Sequence, residues 1–248
     1  MKKVLISDYD QTFYLNDEDI EKNKIYIEKF RKEGNLFVLA TGRSYYDMQR
    51  KIEQYNIKYD YIIINHGASI LDENDEILYN FTIKDEIANS IKDDFRTYAP
   101  NLELRVEKEG FKNTINKYFC CKEKLSRLDF DNSNLTKINA TFDCEENAIK
   151  ILNLINEKYS KWVNCYKVST KAIEIISSEI NKSKAIKLFA DYYKIDYNSI
   201  YTIGDGYSDI EMVKNFNGYA MKKCVDELKK VAKKQYEGVW QLIINELI

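Results

Sequence analysis

Two aspartates, Asp8 and Asp10, follow a short apolar segment (Val4 to Ile6) near the start of the chain. In an extended chain, residues i and i+2 point to the same side, so both carboxylates can face one small site, provided that the chain turns only after Asp10. Two close carboxylates bind a hard divalent cation or share a proton, and with a cation present one attacks while the other transfers a proton. A solvated acidic turn is the alternative for this pair taken alone.

Three other clusters are suited to binding a phosphate or a metal ion. Thr41-Gly42-Arg43 combines a hydroxyl donor, a residue that permits close backbone approach and a planar cation. A helix cap at Thr41 or Ser44 explains the same residues equally well. Lys182 opens a predicted helix, although most lysines are simply solvated. Asp205 and Asp209 share a loop made flexible by glycine, where an ordinary turn is the alternative.

The elements that position these clusters alternate between strand and helix. Strands are predicted at 4–6, 36–40, 61–64, 200–203 and 219–220, and helices from about 20 to 30, at 44–55, at 182–194 and at 208–214. Strands that are apolar on both faces and alternate with helices predict an α/β fold with a Rossmann-like parallel sheet. Ligands of such sheets bind at the carboxyl ends of the strands, where three of the four clusters fall.

The middle of the chain has a different pattern. A hairpin is predicted at 70–79, then a helix at 84–98, strands at 102–106 and 135–142, a helix at 145–159, and strands at 162–168 and 172–177. Neighbouring strands with two helices on one side are typical of an α+β domain. The sequence therefore predicts a core domain of residues 1–81 and 179–248 with an inserted α+β domain of residues 82–178.

The order of the clusters (acid pair, Thr-Gly-Arg, Lys, acid pair) resembles the haloacid dehalogenase (HAD) superfamily of phosphohydrolases, and within it the Cof-type branch. The likeness spans the whole chain. Asn65-His66-Gly67-Ala68 resembles the family's Asn-Gly-Ala strand end, and Gly218 to Met221 resembles its late Ala-Met strand. Residues 181–185 look like its Lys-Gly-x-Ala-Leu, with Ser183 in place of Gly. This resemblance implies a HAD-like core with an α+β cap inserted between the second and third motifs.

The resemblance also implies roles for individual residues. Asp8 would be the nucleophile and Asp10 the general acid/base, acting together with Lys182. Thr41 and Lys182 would bind the phosphate, together with Gly42 and Arg43, which are assigned to phosphate by their residue types. The Mg²⁺ ligands would come from Asp8, Asp10 through its backbone carbonyl, Asp205 and Asp209. The implied activity is Mg²⁺-dependent hydrolysis of phosphate monoesters of small metabolites, such as sugar phosphates, through an aspartyl phosphate.

Other functions share parts of this pattern. A phosphomutase or phosphotransferase of the same superfamily uses the same acids and transfers the phosphoryl group to a hydroxyl instead of water. A response-regulator receiver domain needs an acid at the end of its third strand, where this chain has Asn65 and His66. A catalytically idle binding protein is a further alternative.

Several further positions depart from the family pattern. Ser208 and His66 stand where the family usually has Asn, Gln11 stands where Gly is frequent, and Lys222-Lys223 replaces a usual Gly-Asn. None of these changes removes a catalytic acid or Lys182. They therefore bear on the substrate and the rate more than on the class of reaction.

Composition limits the remaining possibilities. The 38 Lys and Arg residues nearly balance the 40 Asp and Glu residues, for a net charge of −2, so there is no electrostatic case for nucleic acid or an anionic membrane as partner. Acidic residues interrupt the N-terminal apolar segment, and no apolar run approaches the ~18 residues of a membrane span. The sequence predicts a cytoplasmic protein whose partner is a small phosphorylated metabolite, and it does not specify an oligomeric state.

Overall fold

The structure is a computed structural model, and it describes residues 2–99, 102–108 and 133–248. The chain divides into two compact units. The first consists of Met1–Tyr79 and Asn181–Ile248, and the second of Asn80–Ile180. The sequence-based prediction placed the limits at 81/82 and 178/179.

Twelve strands are present among the described residues. In chain order they are β1 (Val4–Ser7), β2 (Leu36–Ala40), β3 (Tyr61–Ile64), β4 (Ser69–Asp72), β5 (Ile77–Asn80), β6 (Glu103–Lys108), β7 (Leu135–Thr141), β8 (Val163–Ser169), β9 (Ala172–Ser177), β10 (Ile200–Gly204), β11 (Asn217–Met221) and β12 (Gln235–Tyr236). Eight of them form one sheet in the order β12-β11-β10-β1-β2-β3-β4-β5. The five pairs from β12 to β3 are parallel, and β4 runs antiparallel to β3. The predicted α/β fold with a parallel sheet is confirmed.

In the described part of the chain, eight α-helices connect or flank the strands. They are α1 (Asp17–Lys32), α2 (Tyr45–Tyr55), α3 (Asp85–Tyr98), α4 (Glu145–Tyr159), α5 (Lys182–Tyr193), α6 (Ile210–Asn215), α7 (Asp226–Lys229) and α8 (Val239–Leu242). Short polar side chains cap three of them. The side chains of Asn16, Ser44 and Asn181 accept hydrogen bonds from the first-turn backbone N–H groups of α1, α2 and α5. Ser44, rather than Thr41, is therefore the cap of the helix that follows β2.

The centre of the first unit's sheet is apolar on both faces. Consecutive residues such as Leu5 and Ile6 in β1, and Phe37 to Leu39 in β2, are fully buried. A strand buried on both sides reads as an unbroken apolar run, which is why these strands were visible in the sequence. Burying each such side chain contributes about 1.5–3 kcal/mol relative to leaving it exposed, so the sheet is a rigid platform for the loops at its edge.

The second unit is an antiparallel four-stranded sheet with α3 and α4. The strand order is β6-β7-β9-β8, and side chains from the sheet and both helices form one apolar cluster that includes Ile91, Phe95 and Ile151. The sheet also carries a buried ion pair, in which Lys137 Nζ lies 3.1 Å from Glu174 Oε1. Asn139 Nδ2 donates to the same oxygen at 3.0 Å, so Glu174 Oε1 accepts hydrogen bonds from two side chains.

Some elements differ from the sequence-based prediction. The two-residue strand β12 was missed, because two residues are too short to show an alternating pattern. The helix predicted at 208–214 begins as a 3₁₀ turn at Tyr207–Asp209 and becomes α6 from Ile210. No helix in the described part of the chain has the length and apolar character needed to cross a membrane.

Candidate active site

A buried lysine joins two acids at the carboxyl edge of the parallel sheet. Asp8 follows β1, Asp209 lies in the loop after β10, and Lys182 is the first residue of α5. Lys182 Nζ donates to Asp8 Oδ1 and to Asp209 Oδ1, each at 2.6 Å, and the lysine is 1% exposed. Because β1 and β10 are parallel neighbours, the residues that follow them meet at one edge. The lysine then bridges this edge from the start of a helix.

The loop after β10 is built around Asp209. Its Oδ2 accepts hydrogen bonds from the backbone N–H groups of Asp205 and Gly206, both at 3.0 Å. A Cβ on Gly204 would lie 2.5 Å from the Asp209 carboxyl group, so only glycine permits this packing. Thr12 Oγ1 donates to Asp205 Oδ1 at 2.7 Å and ties this loop to the one after β1. The geometry therefore places three carboxylates, of Asp8, Asp205 and Asp209, in one cluster.

This cluster has the donors that a hard cation prefers. One oxygen from each of the three carboxylates lies within 4.8 Å of the others. Carboxylate oxygens are the usual ligands of Mg²⁺ and Ca²⁺ in proteins, and two or three of them in a small volume form an open site. The cluster holds three acids against the single ammonium of Lys182, so a divalent cation fits its charge as well as its donor chemistry.

The electrostatics of the acids reflect this crowding. Burial raises the pKa of Asp8 well above its usual range, and the negative charges of Asp209 and Asp205 raise it further. The positive charge of Lys182 lowers this pKa but does not compensate for these effects. Burial and the charge of Asp209 raise the pKa of Asp205 to about 6. Burial by itself lowers the pKa of Lys182, but the charges of Asp209 and Asp8 outweigh it and keep the pKa above its ordinary value. Lys182 is therefore a permanent cation.

Asp10 and Arg43 form a separate pair. Arg43 Nε donates to Asp10 Oδ2 at 2.8 Å and Arg43 Nη2 donates to Asp10 Oδ1 at 2.7 Å. The sequence assigned Arg43 to phosphate, whereas here its guanidinium faces a carboxylate. The Asp10 side chain does not belong to the cluster of three carboxylates.

Thr41 and Gly42 lie between β2 and Arg43. Thr41 is 1% exposed, and its Oγ1 accepts a hydrogen bond from the backbone N–H of Arg43 at 3.1 Å. Gly42 packs against the ring of His66, since a Cβ there would lie 2.3 Å from His66 Cε1. The unusual His66 thus fills the space beside Gly42, and its backbone N–H donates to the carbonyl of Thr41 at 3.0 Å.

Three residues at this edge were given no role by the sequence. Thr12 was visible as the last residue of Asp-x-Asp-x-Thr, and its bond to Asp205 connects two loops. Tyr9, which lies between Asp8 and Asp10 in the sequence, is fully buried. Asn65, at the end of β3, is also fully buried, and neither atom of its side-chain amide has a hydrogen-bond partner among the described residues. The sequence signal at Asn65 was its place in Asn65-His66-Gly67-Ala68, which resembles the family's strand end but suggested no function for the amide.

Comparisons with known proteins agree with this geometry. The profile of the haloacid dehalogenase-like hydrolases matches residues 5–239. An uncharacterized protein from Mycoplasma capricolum is 27% identical over 98% of this chain and 99% of its own length. The 5-amino-6-(5-phospho-D-ribitylamino)uracil phosphatase YwtE of Bacillus subtilis is 24% identical over 99% of this chain and 98% of its own.

The fold is shared with solved structures of the same family. A haloacid dehalogenase-like hydrolase from Bacillus subtilis superposes with a TM-score of 0.81 at 17% identity, over 99% of this chain and 100% of that one. The profile match covers nearly the whole chain, including all four clusters. This chain therefore belongs to the haloacid dehalogenase-like hydrolases, as the order of its acid, Thr-Gly-Arg and lysine clusters predicted.

Proposed function

We propose that this hydrolase is a Mg²⁺-dependent phosphatase that cleaves phosphate monoesters of small metabolites, such as sugar phosphates, through an aspartyl phosphate on Asp8. The observation that carries the proposal is the contact of Asp8 with the buried Lys182, inside a cluster of three carboxylates at the carboxyl edge of the sheet. The phosphorylated uracil derivative in the name of the related YwtE supports a small phosphorylated metabolite as substrate. Such a substrate is consistent with a cytoplasmic location.

Asp8 is the nucleophile in this mechanism. A carboxylate oxygen of Asp8 forms a bond to phosphorus while the bond from phosphorus to the leaving alcohol oxygen breaks. Lys182 and Thr41 stabilise the charge that develops on the phosphoryl oxygens, because both are buried and held in place before substrate binds. Asp8, the Asp10 carbonyl, Asp205 and Asp209 would hold Mg²⁺, which supplies positive charge that offsets repulsion between the phosphate and the acids.

Asp10 transfers the protons. In the first step its carboxyl group gives a proton to the leaving alcohol oxygen. In the second step the resulting carboxylate takes a proton from the water molecule that attacks phosphorus and releases Asp8. The Asp10 side chain is 48% exposed, which is compatible with contact to a substrate's leaving group.

The unit of residues 80–180 is proposed to select the substrate as a cap. The cluster around Lys182 recognises only the phosphoryl group, so the alcohol must be recognised by other residues. Replacing residues 82–178 by a short Gly/Ser linker should flatten the profile of accepted esters, provided that circular dichroism shows a folded core. An unchanged ranking of substrates would contradict the cap assignment.

The phosphatase itself is tested by trapping the intermediate. The chain is mixed with Mg²⁺ and a ³²P-labelled monoester, quenched in acid and treated with hydroxylamine, which cleaves acyl phosphates. Label that is acid-stable, hydroxylamine-sensitive and absent in Asp8→Asn is expected, with loss of turnover by roughly 10³-fold or more. Asp191→Asn, an exposed position on α5, is the control and should keep the label. Turnover by Asp8→Asn at the normal rate would remove Asp8 from its role, and transfer of label to an added sugar hydroxyl would indicate a phosphomutase.

A further inference from the structure

The guanidinium of Arg43 binds both oxygens of the Asp10 carboxylate. The two hydrogen bonds are 2.8 and 2.7 Å long, and they join the loop after β1 to the loop after β2. This is the two-point geometry that a planar guanidinium forms with a carboxylate and that a lysine ammonium cannot reproduce. The half-exposed Asp10 side chain is therefore restricted to one orientation.

Arg43 is itself held from several directions. Its guanidinium carbon lies 5.4 Å from the ring centre of Tyr9, which is fully buried and stacked on Tyr14 at a centroid distance of 6.0 Å. Its backbone N–H donates to Thr41 Oγ1 at 3.1 Å, and its carbonyl accepts from the backbone N–H of Asn65 at 2.9 Å. The ring of Tyr9 and these backbone hydrogen bonds therefore fix the position of Arg43 beside Asp10.

We propose that Arg43, supported by the ring of Tyr9, is the positioning residue of Asp10 and does not bind the transferring phosphoryl group. This inference rests on the proposed phosphatase function. Two of the guanidinium's N–H groups already serve Asp10, in the fork geometry that would otherwise suit a phosphate.

The proposal separates two kinds of ester. Loss of a correctly placed proton donor slows the release of a poor leaving group, such as an alkoxide, and has little effect on a stable phenolate. A lost phosphoryl contact slows both alike, because the phosphoryl group is the same. The two probes are glycerol 1-phosphate and p-nitrophenyl phosphate, in Mg²⁺. Release of the alcohol is measured in a single turnover with excess enzyme, so that hydrolysis of the intermediate does not contribute.

Arg43→Lys is the test variant, because it keeps the charge and removes the fork. We expect the rate of glycerol release to fall by roughly 10- to 100-fold and that of p-nitrophenol release to stay within about threefold of wild type. In the Asp10→Asn background, Arg43→Lys should add no further loss, since both act on one step. Inhibition by inorganic phosphate should be unchanged in every variant.

The chain offers a matched control in Arg31, which forms the same two-point bridge with Asp60. Arg31 Nε donates to Asp60 Oδ2 at 2.9 Å, and Arg31 Nη2 donates to Asp60 Oδ1 at 2.7 Å. Asp60 directly precedes β3, so this bridge lies at the opposite end of the strands from Asp10. Arg31→Lys should leave the ratio of the two rates unchanged. Because that ratio is measured within one sample, partial unfolding of a variant lowers both rates and does not alter it.

Three outcomes would overturn the inference. Equal losses on both esters, with weaker inhibition by inorganic phosphate, would make Arg43 a phosphate ligand. Unchanged rates on both esters would leave Arg43 without a role in the reaction. Additive losses in the double variant with Asp10→Asn would show that Arg43 acts independently of Asp10. If the wild-type chain hydrolyses neither ester, the phosphatase proposal itself fails, which is distinct from any of these results.

Discussion

Removal of the Lys182 ammonium is the most informative single perturbation of this site. Lys182 is buried between Asp8 and Asp209, at 2.6 Å from an oxygen of each. Lys182→Met keeps the aliphatic stem and leaves both carboxylates without their cation. Breaking a buried ion pair by removing one partner costs about 3–5 kcal/mol, because the remaining charge is uncompensated. We expect a loss of that size in the free energy of unfolding at pH 8 in the absence of divalent ions.

The loss should depend on pH in a defined direction. Without Lys182, the folded state holds a proton on Asp8 more tightly than the unfolded state does, so stability decreases as pH rises. Urea denaturation of Lys182→Met at pH 5 should therefore show a smaller deficit than at pH 8. Added Mg²⁺ should narrow the deficit at pH 8, since a cation in the cluster replaces part of the missing charge.

The same substitution should remove catalysis. Lys182 is aimed at the position where the phosphoryl charge develops, and loss of one such donor costs roughly 10²- to 10³-fold in turnover. Lys184→Met is the matched control, since Lys184 lies in the same first turn of α5 and is exposed. It should change stability by about 0.5 kcal/mol or less and leave turnover unaltered. A Lys182→Met protein as stable and active as Lys184→Met would refute the assignment of Lys182 to the charge balance of the site.

Two further predictions concern the loop after β10. Gly204→Ala should destabilise the chain by about 1–3 kcal/mol and lower turnover, because the new Cβ would lie 2.5 Å from the Asp209 carboxyl group. Gly206→Ala is the control and should be tolerated, because its Cβ would lie 3.7 Å from Asp209. Equal thermal stability of the two variants would contradict this packing. Mg²⁺ affinity should weaken as pH falls through about 6, because a cation must displace the proton that Asp205 holds in the ion-free site. Calorimetry in buffers of different ionisation enthalpy should show proton release at that pH and much less at pH 8, and equal release at both would exclude Asp205 as its source.

The sequence by itself determined the elements of the fold and the acids of the site. The apolar runs of β1, β2 and β3 are buried on both faces, and α4 spans Glu145–Tyr159 as its periodicity predicted. Burial imposes these patterns over a few neighbouring residues, so they are readable without knowledge of the rest of the chain. In a parallel sheet, residues that follow the strands share one edge, and this rule places Asp8 and Asp205 at the same edge of the sheet.

Only the tertiary structure decided which polar groups pair. Arg43 and Asp10 are 33 residues apart, and nothing local specifies whether a guanidinium faces a carboxylate or a phosphate. The same holds for Thr12 with Asp205, and for the ring of His66 beside Gly42. The order of the strands decides which loops meet at the edge, and therefore which polar groups become neighbours. A single side chain can form good hydrogen bonds with many different partners, so its type does not identify the partner. Residue types therefore predicted the chemistry available at this edge, whereas the folded sheet selected the partner of each group.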